Sequence, residues 1–210
     1  MEPKHKDSSE VWSHVADLYE EKFLNLSIYD DSYDWFCNEI KMPEPAVLDI
    51  GCGPGNISKY ISGKIHDADI SGIDYSENMI LLAKKNVPNG QFEVMDCREV
   101  AKLNRKFDAI IGGFCIPYLN ERELNVFLSD INNLLKGNGI LYLSFVEGKP
   151  EESKYQTSST GHQLFFNFHR IESIKQNLKN IGFQHFQTMY INYKKSPNET
   201  EVHTVIITKK

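Results

Sequence analysis

The chain has few cysteines, and they form no recognisable pattern: Cys37, Cys52, Cys97 and Cys115 are scattered, with no CxxC spacing among them. This excludes a zinc-ribbon arrangement and argues against a disulfide framework, so reduced thiols in a cytoplasmic protein are expected. No apolar run approaches the roughly 18 residues needed to span a bilayer. The first ten residues, MEPKHKDSSE, hold charges where a secretory signal would have its apolar stretch. A soluble chain with no membrane partner is therefore expected. Excess basic charge is missing as well: 23 Lys and Arg stand against 29 Asp and Glu, a net charge of −6. That is the wrong sign for neutralising phosphates along a nucleic acid, so no nucleic-acid partner is expected. There is no internal repeat, no low-complexity segment and no spacing of His, Cys or acids that predicts a metal site.

What is present is an ordinary globular composition, 40% hydrophobic and 25% charged over 210 residues, enough for one domain with a substantial core. Residues 10–24 carry apolar side chains at helical spacing, with Trp12 and Tyr19 beside the stripe, and read as an amphipathic helix. A second helix is expected over 31–40, stopped by the prolines at 43 and 45. Short apolar runs then alternate with helical segments. Strands are expected at Ala46–Ile50, Ala68–Asp74, Gln91–Met95, Phe107–Gly112 and Gly139–Val146. Helices are expected at Ile57–Ser62, Ser76–Lys85 and Asn120–Leu135, the last ending at Gly137. This alternation predicts βαβ units and a parallel sheet covered on both faces. After a polar stretch, Pro150–Gly161, come an aromatic segment, Leu164–Phe168, and a helix, Arg170–Ile181, stopped by Gly182. Two strands follow, Phe183–Tyr193 and Glu201–Thr208, and their short connection makes them antiparallel. The expected organisation is one domain over 1–210, comprising an N-terminal helical cap (1–42), a ligand-binding core (46–146) and a substrate-side segment with a C-terminal hairpin (147–210).

The chemistry is concentrated just after the first strand. In an open α/β sheet, ligands bind beyond the carboxyl ends of strands. There Gly51, Gly53 and Gly55 permit a tight turn and a close approach of backbone N–H groups to a ligand. A dinucleotide fingerprint would need its third glycine at 56, which is Asn56, and no Gly-Lys-Ser/Thr of a phosphate loop follows. Asp49 also opposes a pyrophosphate, because like charges repel; it suits a ligand bearing an ammonium or sulfonium group. Asp74 and Asp96 end the next two strands, where one carboxylate can accept both hydroxyls of a ribose and the other an exocyclic amine. Each acid alone could equally be a helix N-cap or turn residue. Three at successive strand ends point to a ligand.

These segments together resemble the class I (Rossmann-like) S-adenosylmethionine-dependent methyltransferase family. VLDIGCGPG at 47–55 is similar to its first motif and GIDYSENM at 72–79 to its second. MDC at 95–97 resembles its adenine-binding acid segment, FDAIIGGF at 107–114 its fourth motif, and LLKGNGIL at 134–141 the helix-turn-strand that follows. The resemblance implies a three-layer fold around a seven-stranded sheet, parallel but for one C-terminal strand. It implies S-adenosylmethionine as cofactor, S-adenosylhomocysteine as product, and a methyltransferase activity. Asp49, Gly51, Gly53 and Gly55 would hold the methionine part, Asp74 the ribose, and Met79 and Asp96 the adenine. Cys52, Asn56, Tyr75, Cys97, Gly113 and Phe114 complete the implied cofactor set, and Tyr19 would reach the cofactor carboxylate from the N-terminal helix.

The acceptor is less legible. His162 and His169 bracket the aromatic stretch, and Tyr118 follows the fourth strand, so these three are the candidate catalytic bases. His5, His14, His66, His185 and His203 read as structural. Cys115-Ile116-Pro117-Tyr118 lacks the amide and first proline of the family's adenine-methylating members, which, with the acidic charge, favours a small-molecule acceptor. Tyr155, Phe165, Phe166 and Phe168 could line its pocket. A cofactor-binding protein without turnover and a protein methyltransferase are the alternatives, since cofactor motifs report binding rather than activity.

Overall fold

The computed structural model describes residues 16–157 and 163–210. Residues 16–23 are the described part of an N-terminal helix, α1. A short 3-10 turn at Ser27–Tyr29 leads into α2 (Asp30–Glu39). The alternating core follows as β1 (Ala46–Ile50), α3 (Asn56–Lys64), β2 (Asp69–Asp74), α4 (Glu77–Asn86), β3 (Gln91–Val94), β4 (Phe107–Gly113), α5 (Glu121–Leu134) and β5 (Leu135–Val146). A small hairpin, β6 (Lys154–Thr157) and β7 (Gln163–Phe166), precedes α6 (Ile171–Asn180), β8 (Gln184–Ser196) and β9 (Glu199–Lys209).

Seven strands form one sheet in the order β3-β2-β1-β4-β5-β9-β8. β1 pairs in parallel with β2 and β4, and β4 with β5, whereas β9 runs antiparallel to both β5 and β8. β9 is therefore the one reversed strand. Apolar side chains of β1 split between the two faces: Leu48 and Ile50 join a core with α5 and α6, and Val47 joins another with α2, α3 and α4. Strands covered on both faces need continuous apolar runs, as in β1, where all five residues are buried. The direction in which strands are added reverses between β1 and β4, which opens a crevice beyond their carboxyl ends.

Local chemistry sets the helix boundaries. Ser76 caps α4 by accepting from Met79 N at 3.3 Å, and Asn120 caps α5 in a reciprocal capping box with Glu123. Gly182, at φ +104°, ends α6. Several boundaries shift, and two features depart most from the sequence reading. α5 stops at Leu134 rather than Gly137, because Leu135 already pairs with Phe107, and 136–139 form a bulge before pairing resumes at Ala109–Ile140. The polar stretch 150–161 contributes a strand, β6, whose partner β7 brings the apolar side chains that its own sequence lacks. No described helix is long and apolar enough to cross a membrane.

Candidate active site

The turn after β1 is built from left-handed backbone: Gly51, Gly53 and Gly55 have φ of +68°, +53° and +81°, a region that side chains with a Cβ rarely adopt. Gly51 N and Cys52 N both donate to Ile73 O, at 2.8 and 2.9 Å, which ties the turn to β2. Gly53 N donates to Asp74 Oδ2 and Ser76 N to Asp74 Oδ1, each at 2.9 Å. The backbone thus aims the Asp74 carboxylate, while its remaining lone pairs stay available for ligand hydroxyls. Burial pushes this carboxyl above the usual range, against the opposing pull of its N–H donors.

Beyond the turn lies a cavity of about 290 Å³, just below the roughly 300–1,000 Å³ typical of small-molecule sites. Of the residues expected to bind a cofactor, Tyr19, Gly51, Gly53, Asn56, Asp74, Tyr75, Met79, Asp96, Cys97, Gly113 and Phe114 line it. Tyr19 lies over the turn, its Cε1 3.7 Å from where a Cβ on Gly53 would sit. Burial, with Asp74 nearby, holds its phenol above the ordinary range.

Asp49, Cys52 and Gly55 do not line the cavity. Asp49 is fully buried behind the turn. Its Oδ2 accepts from Ser58 Oγ at 2.7 Å, and Oδ1 has no partner among the described residues. Burial raises its carboxyl to about 7. The expected direct contact of this carboxylate with a cationic ligand finds no support in the cavity lining, and the partner Asp49 has is Ser58 on α3. Cys52 points into the core, where its thiol donates to Gly53 O at 3.7 Å. Gly55 faces α4, where an added Cβ would meet Ala83 at 3.1 Å. Asp96 lines the cavity but already has partners. It caps the turn after β3 by accepting from Arg98 N at 2.9 Å, and it takes the fork of the Arg98 guanidinium. Arg98 also faces Glu123 at 3.6 Å.

Of the candidate bases, Tyr118 lines the cavity, edge-on to Phe166 with ring centroids 6.1 Å apart. His169 does not. It is buried, with Nε2 3.1 Å from Ile116 O, and desolvation lowers its basicity. His162, His5, His14 and Trp12 lie outside the described residues. The residue that the sequence reading passed over is His203, assigned there to structure. It lines the cavity, with Nδ1 2.6 Å from Tyr29 Oη and Nε2 3.0 Å from Glu201 Oε1. Lys195 Nζ lies 3.1 Å from Glu201 Oε2. A signal was present: Glu201 and His203 alternate on one face of β9, as Tyr193 and Lys195 do on β8, and Tyr193 stands opposite Glu201 in the ladder. Tyr29, 174 positions from His203, carried no such signal.

A model of a family described as a methyltransferase domain matches residues 47–139. The malonyl-[acyl-carrier protein] O-methyltransferase of Priestia megaterium is 30% identical over 83% of this chain and 65% of its own length. Residues 47–139 thus belong to a methyltransferase-domain family, and the fold is that of the class I S-adenosylmethionine-dependent methyltransferases. Phosphoethanolamine N-methyltransferase 1 of Zea mays is 31% identical over 68% of this chain and 29% of its own length. The chain thus spans less than two thirds of the length of these curated relatives. Among solved structures, the 1,6-didemethyltoxoflavin-N1-methyltransferase of Burkholderia thailandensis superposes with a TM-score of 0.72 at 16% identity, covering 100% of this chain and 91% of that one. The strand order and the reversed β9 are the fold of this family. The family match covers the glycine turn, β2 and β4, and leaves the Tyr29–His203–Glu201 chain of hydrogen bonds outside its limits.

Proposed function

We propose that this methyltransferase binds S-adenosylmethionine in the cavity beyond β1 and transfers its methyl group to a small-molecule acceptor. The observation that carries the reading is the pairing of the glycine turn with Asp74: Gly53 N fixes the carboxylate that the same turn leaves facing the cavity. The residues fit the cofactor. A Cβ at Gly51 or Gly53 would fill the cradle, and Met79 and Cys97 supply apolar wall beside Asp74. When bound, S-adenosylmethionine supplies a methyl carbon already activated by its own sulfonium. The chain's share is binding and alignment. Asp74 accepts from ribose hydroxyls, and the backbone of the glycine turn packs against the methionine portion. Tyr19 and Phe114 close the cavity over it and exclude water. Asp96 keeps acceptor capacity for an amino group while Arg98 holds its orientation.

A small-molecule acceptor is supported by the net negative charge and by relatives whose names specify small acceptors. Four free cysteines support a cytoplasmic setting. Calorimetry with S-adenosylmethionine, followed by turnover with a methyl-labelled donor against a metabolite pool, tests the reading. Binding and label in small metabolites are expected. Label in protein or nucleic acid with none in metabolites would overturn the acceptor class, and absence of binding would overturn the whole reading.

A further inference from the structure

Within that reading, we infer that Tyr29, His203 and Glu201 form a proton relay on the acceptor side of the cavity, serving a phenol-type hydroxyl. For a neutral imidazole the geometry sets the direction of each proton. A carboxylate only accepts, so the contact between Glu201 Oε1 and His203 Nε2 requires the proton on Nε2. Nδ1 is then bare, and the 2.6 Å contact with Tyr29 must be donated by the phenol. The Tyr29 oxygen is left as an acceptor in the cavity wall. Glu201 is anchored on its other oxygen by Lys195, and these contacts hold its carboxyl below the usual range. The imidazole is clamped between Tyr193, stacked at 4.8 Å, and Phe114, edge-on at 4.6 Å. Besides Tyr29 and Glu201, the charged and titratable groups that face this cluster among the described residues are Tyr19, Tyr33, Tyr142 and Tyr193, with Lys195 and Lys22 at the rim.

The topology puts the relay across the glycine turn from the donor-binding acid. Asp74 ends β2 on one flank of β1. His203 sits level with Val146 at the carboxyl end of β5, and beside Phe114 at the end of β4, on the other flank. A donor held at Asp74 and the turn leaves the β4–β5–β9 end for the second reactant. There the acceptor's O–H bond breaks as its O–CH3 bond forms, and the C–S bond of the donor breaks with its electrons going to sulfur. The acceptor's proton passes to the Tyr29 oxygen as the Tyr29 proton passes to Nδ1, leaving an imidazolium against the Glu201 carboxylate. A carboxylate acceptor would arrive already ionised and need no relay; a phenol needs one, and aromatic walls suit its ring. Tyr29 is the catalytic residue here, and His203 and Glu201 are positioning residues acting through it.

The test uses the full chain and the variants Tyr29→Phe, His203→Gln and Glu201→Gln, each checked for folding and for donor binding by calorimetry. With weakly acidic phenols, Tyr29→Phe and His203→Gln should lose kcat by about 10²–10⁴-fold, with donor affinity unchanged. With nitrophenols already ionised at the assay pH the loss should fall below about tenfold. Nitrogen NMR of the ligand-free wild type should show His203 protonated on Nε2. Equal losses with both phenol classes, an Nδ1–H tautomer, or unchanged kcat in the variants would overturn the relay alone. A wild type that binds donor but methylates no phenol would overturn the acceptor class, and one that binds no donor would overturn the proposed function itself.

Discussion

Replacing Asp49 by asparagine should alter how stability depends on pH. The wild-type carboxyl, fully buried, is raised to about 7, against about 3.9 for an unfolded chain. Between those values the folded state keeps a proton that the unfolded state has released. Stability therefore falls as pH rises through this window, by up to about 1.4 kcal/mol per pH unit, and levels off above about 7. Across the window the loss comes to about 4 kcal/mol. An amide has no proton to lose and escapes it. Its oxygen can still accept from Ser58, but its NH2 would occupy the place of Oδ1, which has no partner among the described residues. An unsatisfied buried donor costs about 1–3 kcal/mol at every pH. The Asp49→Asn variant should thus be less stable than wild type near pH 4 and equal or exceed it near pH 8. Urea denaturation followed by far-UV circular dichroism across this range gives the difference directly, and Asp74, also raised, is common to both proteins. Parallel stability curves would refute the reasoning, since they would mean that Asp49 ionises in the ordinary carboxylate range.

Asp74→Ala should weaken S-adenosylmethionine binding by about 1.5–3 kcal/mol, a loss of roughly 10- to 150-fold in Kd, measured by calorimetry. An unchanged Kd would displace the ribose from this acid. Gly55→Ala should destabilise the fold by about 2 kcal/mol or more, because the new methyl would sit 3.1 Å from the α4 backbone at φ +81°. Gly63→Ala, in α3 with nothing within 4 Å, should raise stability by up to about 1 kcal/mol. Thermal melts of the two variants should move in opposite directions.

The sheet and much of the lining of the cavity beyond β1 could be read from the sequence because their determinants are local. Each strand carries its own apolar run, each glycine of the turn has its own φ, and Asp74 sits at the end of the strand that presents it. Position in the motif did not reveal depth, however. Asp49, Cys52 and Gly55 belong to the same nine-residue segment as Gly51 and Gly53, yet the turn directs them inward. Asp96 showed a different gap: whether a strand-end acid waits for a ligand or for a neighbouring arginine depends on the rotamer of Arg98. The proposed acceptor side was hidden for a stronger reason. His203 gains its significance only from Tyr29, brought to it by α2 packing against the sheet, and no periodicity in either segment encodes that meeting.

That separation has a consequence for how the fold assembles and diversifies. The β1–β4 unit closes through neighbours in the chain, whereas the hydrogen bond from Tyr29 to His203 closes a loop of 174 positions, an entropic cost met only after the intervening sheet exists. The expected order of assembly is therefore the cavity lining around β1 first and the Tyr29–His203 wall last. The same order describes mutational freedom: β8 and β9 can change the side chains they present while the glycine turn and Asp74 keep their own supports, so under the proposed function a new acceptor chemistry would need no redesign of the donor site.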